Sequence, residues 1–137
     1  MNKNITLNIV TVVWNDIDGL TRTLVSLKRV QDSLDALNLN IIIQDGLSSD
    51  GTKEFADGFI SKNICEKFQV KLNYEKDYGI FDAMNRASSR FNQNDLIMYL
   101  NAGDIISEEI DLNAFYSSLI YFINDKSKIS GFRSRNI

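Results

Sequence analysis

Asp95-Leu-Ile-Met-Tyr-Leu-Asn-Ala-Gly-Asp104 is a short apolar run that stops at an asparagine, two small residues and an aspartate. The run suits a buried strand of a parallel sheet. Its ending brings a carboxylate to the sheet's edge, where phosphates and divalent metals are handled. Taken alone, Asn101-Ala-Gly-Asp104 equally suits a turn closed by an Asx cap.

The pattern on either side of this strand decides what kind of sheet it belongs to. Downstream, Ser107-Glu-Glu109 reads as a helix start, and Leu112, Phe115, Leu119, Phe122 and Ile123 form that helix's apolar stripe. Upstream, Leu7-Asn-Ile-Val-Thr-Val-Val13 is β-branched and nearly all apolar, as in a strand covered on both faces. It runs into the polar loop Trp14-Asn-Asp-Ile-Asp-Gly19. Leu20, Leu24, Leu27 and Leu34 then predict a helix from about Leu20 to Leu37, with Asp16 and Asp18 near its positive end.

A second strand, Asn40 to Gln44, carries three isoleucines and leads into Asp45-Gly-Leu-Ser-Ser-Asp-Gly-Thr52, dense in turn and capping residues. Phe55, Phe59 and Ile60 mark a short helix, and Val70 to Tyr74 alternates as a third strand. After Glu75-Lys-Asp-Tyr-Gly79, a further helix is marked by Ile80, Met84, Ala87 and Phe91; Leu96 to Leu100 is the fourth strand. Four strands alternating with four helices predict an α/β fold, a mostly parallel sheet with helices on both faces. Such sheets bind ligands beyond the carboxyl ends of their strands. The four polar clusters that end or follow the strands therefore face one crevice.

Composition limits what that crevice can do. At 137 residues the chain suits one domain with a real core. A net charge of −3 argues against general nucleic-acid binding, which needs a basic face. Histidine is absent and Cys65 stands alone, which removes Ser-His-Asp and Cys-His catalysis, disulfides and an ordinary zinc site. Acid, base and metal-ligand roles fall to carboxylates, which suit Mg²⁺ or Mn²⁺. No apolar run reaches the ~18 residues of a membrane span and no signal-peptide core is present, so the expected compartment is the cytoplasm. Lys126, Lys128, Arg133 and Arg135 make residues 126–137 a basic, irregular tail, with attraction to the inner face of the plasma membrane as the alternative.

Within the clusters, Asp104 is the candidate metal ligand. Asp45 can accept a hydrogen bond from a base N–H or a ribose hydroxyl, and Asp82 suits sugar better than phosphate. Asp50, Gly51 and Thr52 read as turn and helix cap, and Trp14 as packing, or as a stacking surface for a base or a sugar. No Gly-x-Gly-x-x-Gly follows a strand and no phosphate loop of the Gly-x-x-x-x-Gly-Lys type is present.

Four segments together resemble the family 2 inverting glycosyltransferases of GT-A fold: Thr11-Val-Val-Trp-Asn15, Gln44-Asp-Gly-Leu-Ser-Ser-Asp-Gly-Thr52, Glu75-Lys-Asp-Tyr-Gly-Ile-Phe-Asp-Ala-Met-Asn85 and Leu100-Asn-Ala-Gly-Asp104. The nearest group by motif is the colanic-acid and O-antigen type of bacterial polysaccharide enzyme. The resemblance spans roughly residues 5 to 105. It implies a nucleotide-diphosphate sugar donor, and a glycan or lipid-linked acceptor. Donor-site candidates are Thr11, Val13, Asn15, Asp45, Asp77, Gly79, Asp82, Asn85 and Asn101, with Asp104 holding Mg²⁺ or Mn²⁺ on the diphosphate.

Two departures from the family pattern matter. Common members carry Asp where Asn101 and Gly103 stand, and many carry Arg where Met84 stands. The family's general base lies well beyond the metal motif. After Asp104 only Glu108, Glu109, Asp111 and Asp125 remain, and none matches it. The resemblance thus implies a half domain over 1–137, C-terminally truncated, with no identifiable base. The alternative is a non-catalytic nucleotide-binding or scaffold module that forms homo- or hetero-oligomers through unburied core surface. A third reading, a flavodoxin-like signalling domain, lacks the lysine its chemistry requires.

Overall fold

The computed structural model describes residues 4–92 and 95–124. In chain order they form β1 (Ile5–Val13), α1 (Ile17–Ser33), β2 (Leu37–Asp45), α2 (Thr52–Asn63), β3 (Phe68–Tyr74), α3 (Ile80–Ser88), β4 (Ile97–Tyr99) and α4 (Leu112–Asn124). All strand pairs are parallel, in the order β3-β2-β1-β4. The chain thus winds outward from β1 to β3 and returns to the far side of β1. That reversal opens a crevice at the carboxyl ends of β1 and β4, the usual ligand position in an open α/β sheet.

Alternate residues of each strand face opposite ways. On the first face Leu7, Ile9, Val13, Leu39, Ile41, Ile43, Phe68 and Val70 pack with Leu20, Leu24, Leu27 and Val30 of α1, Ala56 of α2 and Leu119 of α4. The second face holds a smaller cluster, Val10, Ile42 and Ala87, flanked by Val12, Phe91 and Ile97 beneath α3. Below it lies a polar row: Thr6 pairs in register with Asn38, and Asn8 with Asn40 beside Gln69. Asn40 Nδ2 donates to Asn8 Oδ1 at 3.1 Å. The expectation of apolar cover on both faces of β1 therefore holds only for its carboxyl-terminal half.

Several boundaries differ from those the spacing predicts, each for a local reason. Helix α1 begins at Ile17 because Asp16 caps it, its Oδ1 accepting from Gly19 N–H at 3.0 Å. It ends at Ser33, and Leu37 opens β2 instead, in register with Ile5. Ser107–Glu109 does not start a helix: Asp111 Oδ1 accepts from the N–H groups of Asn113 and Ala114 (3.0 and 3.1 Å), so α4 begins at Leu112. Residues 126–137 lie outside those described. Among the described residues no helix is long and apolar enough to cross a membrane.

Candidate functional site

The loops after β1 and β2 are laced together. Asn15 takes a left-handed conformation (φ 49°), which asparagine tolerates better than most residues. Its N–H donates to Ser48 Oγ at 2.8 Å, and its Oδ1 accepts from Ser49 N–H at 2.7 Å. Asp50 receives Ile17 N–H at 3.1 Å and the hydroxyl and N–H of Thr52, the Thr52 hydroxyl being the main cause of its lowered pKa. Asn15, a donor-site candidate by resemblance, thus also has a structural task.

Asp45 closes β2 and is fully buried. Its Oδ1 accepts from Ser48 N–H at 2.8 Å, while its Oδ2 has no hydrogen-bond partner. Val13 is its register partner on β1. Two residues back, on the same face, the buried Thr11 Oγ1 also lacks a partner. Leu47, in the loop that turns over Asp45, is held at φ 70°. That conformation costs a β-carbon residue about 1–2 kcal/mol.

The loop after β3 packs onto this one. Glu75 N–H donates to Asp45 O at 3.0 Å, and Tyr74 Oη donates to Ser48 O at 3.1 Å. Asp77 Oδ1 accepts from Gly79 N–H at 3.0 Å, and its Oδ2 lies so close to Gly46 that a Cβ there would be 2.5 Å away. A side chain at Gly46 would therefore displace the Asp77 carboxylate. Asp82 is committed to its own helix, receiving Tyr78 N–H at 2.9 Å and pairing with Arg86 Nε at 2.8 Å. The Arg86 hydrogen bond is the main cause of its lowered pKa. Asn85 is exposed one turn on. Helix α3 covers the second face, so Asp82 and Asn85 approach the crevice from the side opposite Asp45.

After β4 the chain continues along β1. Leu100 N–H donates to Val10 O and Ala102 N–H to Val12 O, both at 3.0 Å. Asn101 Oδ1 accepts from Val12 N–H at 3.1 Å, and Asn101 N–H donates to Asp104 Oδ2 at 3.0 Å. Thr23, buried in α1, accepts from Gly103 N–H at 3.0 Å and donates to Asp104 O at 2.7 Å. Gly103 has φ 97°. A Cβ there would lie 3.9 Å from both Arg22 Nη2 and Asp16 Oδ2.

The contacts therefore join Asn15, Asp45 and Asp77 on one side of the crevice, and Asn101, Gly103 and Asp104 on the other. Sequence reasoning passed over Thr23, Arg22 and Ser48. Thr23 carries a readable signal: it lies three residues after Leu20 and four before Leu27, so it is a polar residue on a buried stripe. Such residues need partners. Arg22, exposed on the same helix, gives none.

A cation site can be judged by its donors. Among the described residues no three His, Cys, Asp or Glu side chains converge. Asp104 offers its second carboxylate oxygen, and Asp16 lies across Gly103. Mg²⁺ is ordinarily held by one or two carboxylates with substrate phosphates and water. The residues fit a cation that arrives with a diphosphate rather than one caged by protein alone.

Residues 8–120 match the model of glycosyl transferase family 2. The chain belongs to that family. It is 30% identical over 102 residues to an uncharacterized glycosyltransferase of Mycobacterium tuberculosis found in two strains, a match covering 74% of this chain. The fold matches the crystal structure of S. aureus TarS 1–349 in complex with UDP-GlcNAc, with a TM-score of 0.67, 16% identity and 97% of this chain covered. This family 2 chain therefore has the GT-A fold. It spans 35% of the length of the mycobacterial relatives and 37% of the TarS chain.

Proposed function

We propose that this chain binds a nucleoside-diphosphate sugar in the crevice, as the donor half of an inverting glycosyltransferase. The acceptor is a polysaccharide or lipid-linked glycan in cytoplasmic, surface-glycan synthesis of the colanic-acid and O-antigen type. Asp45 carries the reading. A buried carboxylate oxygen with no partner costs on the order of 1–3 kcal/mol or more, and a base N–H or ribose hydroxyl would recover that. Thr11 adds a second unpartnered oxygen on the same face, and the UDP-GlcNAc held by TarS supports the same donor class.

The remaining residues take positions around that anchor. Asn15 holds the two loops at the base, Asp77 and Gly79 shape the ribose side, and Asp82 and Asn85 face the sugar. Asn101 fixes the loop that presents Asp104. Bound with the donor, Mg²⁺ or Mn²⁺ at Asp104 supplies positive charge to the departing diphosphate.

Calorimetry with UDP, GDP, ADP, CDP and dTDP, with and without Mg²⁺ or Mn²⁺, tests the reading. At least one is expected to bind, more tightly with metal, and Asp45→Asn to weaken it by about tenfold or more. The reading fails if none shows metal-dependent binding.

One observation favours a second reading, a module that works with a partner carrying the acceptor half. Helix α4 is strongly apolar yet fully buries only Leu119, and Tyr99, Ile105 and Tyr121 are exposed. Apolar surface of this kind marks interfaces. A monomer at all concentrations in light scattering counts against it.

A further inference from the structure

Arg22 is exposed on α1, and its guanidinium stands against Gly103 in the loop that presents Asp104. Among the described residues it forms no hydrogen bond or ion pair. Other cations on the same helix are engaged: Lys28 pairs with Asp32 at 2.6 Å, and Arg29 Nη2 donates to Ile106 O at 2.6 Å. Gly103 has no side chain to block the path from Arg22 across the loop. The flanking charges, Asp16 and Asp104, are both negative, so an anion can settle there only where a positive group meets it.

We infer that Arg22 binds the donor's diphosphate directly. This rests on the donor-binding reading above. A guanidinium offers a planar fork of N–H donors that matches two phosphate oxygens, and it stays charged at any working pH. Arg22 thus shares with the cation at Asp104 the task of balancing the diphosphate charge. With Asp16 and Asp104 both negative beside the diphosphate, the guanidinium adds positive charge to that of the metal.

The test is calorimetry on the full chain with whichever nucleoside diphosphate the wild type binds, and with its parent nucleoside by competition, with and without Mg²⁺. Arg22→Gln is expected to weaken the diphosphate by about 10- to 100-fold, the loss of a charge-assisted pair, and to leave the nucleoside unchanged. Arg22→Lys should recover only part of the loss, and Lys62→Gln, a charge change in the last turn of α2, should leave diphosphate affinity unchanged. The melting temperature of each variant checks that it folds. Equal diphosphate affinity in Arg22→Gln overturns the inference alone, as does an equal loss for nucleoside and diphosphate. If the wild type binds no nucleoside diphosphate, the donor reading falls and takes this inference with it.

Discussion

At the scale of single residues, the loop that presents Asp104 depends on a hydroxyl from another element. Thr23 Oγ1 joins Gly103 N–H to Asp104 O from inside α1. Thr23→Val keeps the shape and removes the hydroxyl, leaving two backbone groups short of partners. Stability is expected to fall by about 1–3 kcal/mol, read as a lower urea midpoint; an unchanged midpoint would show that the loop holds itself. The placement of Asp45, Asn101 and Asp104 at the carboxyl ends of strands was legible because each ends or follows an apolar run. Their partners were not. Thr23 reaches Gly103 and Asp104 across 80 and 81 residues and Ser48 reaches Asn15 across 33, and local spacing does not encode these.

At the scale of elements, all eight were legible from periodicity, because strand and helix repeats differ so clearly. Their ends were less so. Leu37 continues the leucine spacing of α1, yet pairing with Ile5 draws it into β2. Capping explains the others, since one aspartate side chain decides where a helix starts. Two other aspartates tie elements to pH. Asp50 and Asp82 have lowered folded pKa values, held down chiefly by the Thr52 hydroxyl and by Arg86. A lowered carboxylate pKa contributes stability that is fully present above its ordinary value of 3.8 and is lost as pH falls through the folded value. Asp82→Asn should therefore flatten the fall in urea midpoint between about pH 5 and pH 2. A variant whose acid profile overlays the wild type would place the Asp82–Arg86 pair outside the folding balance, as exposed pairs often are.

At the scale of the whole molecule, the two faces of the sheet are unequal. One carries the main core beneath α1, α2 and α4; the other has α3 over its upper half and an asparagine row below. This asymmetry was hidden because Leu7 to Val13 and Asn40 to Gln44 read as continuous apolar runs, with the asparagines sitting at their amino ends. Asp45 and Thr11 are buried on the well-packed face, while Asp82 and Asn85 stand on α3 over the thin one.

The sheet order also carries a consequence in time. β1 meets β2 across a short helical crossover, but Asn8 meets Leu96 across 88 residues. Closing a longer loop costs more entropy before any contact repays it. During synthesis, β1, β2 and β3 have all emerged before β4 exists, so the crevice is assembled last. Pulse-labelled hydrogen exchange during refolding should show Ile41 and Ile43 amides protected before those of Leu100 and Ala102. Simultaneous protection would mean that the sheet closes in one step. If the order holds, Asp104 reaches its place on a scaffold that is already built, and the chain spends its earliest moments folded but unable to hold a ligand.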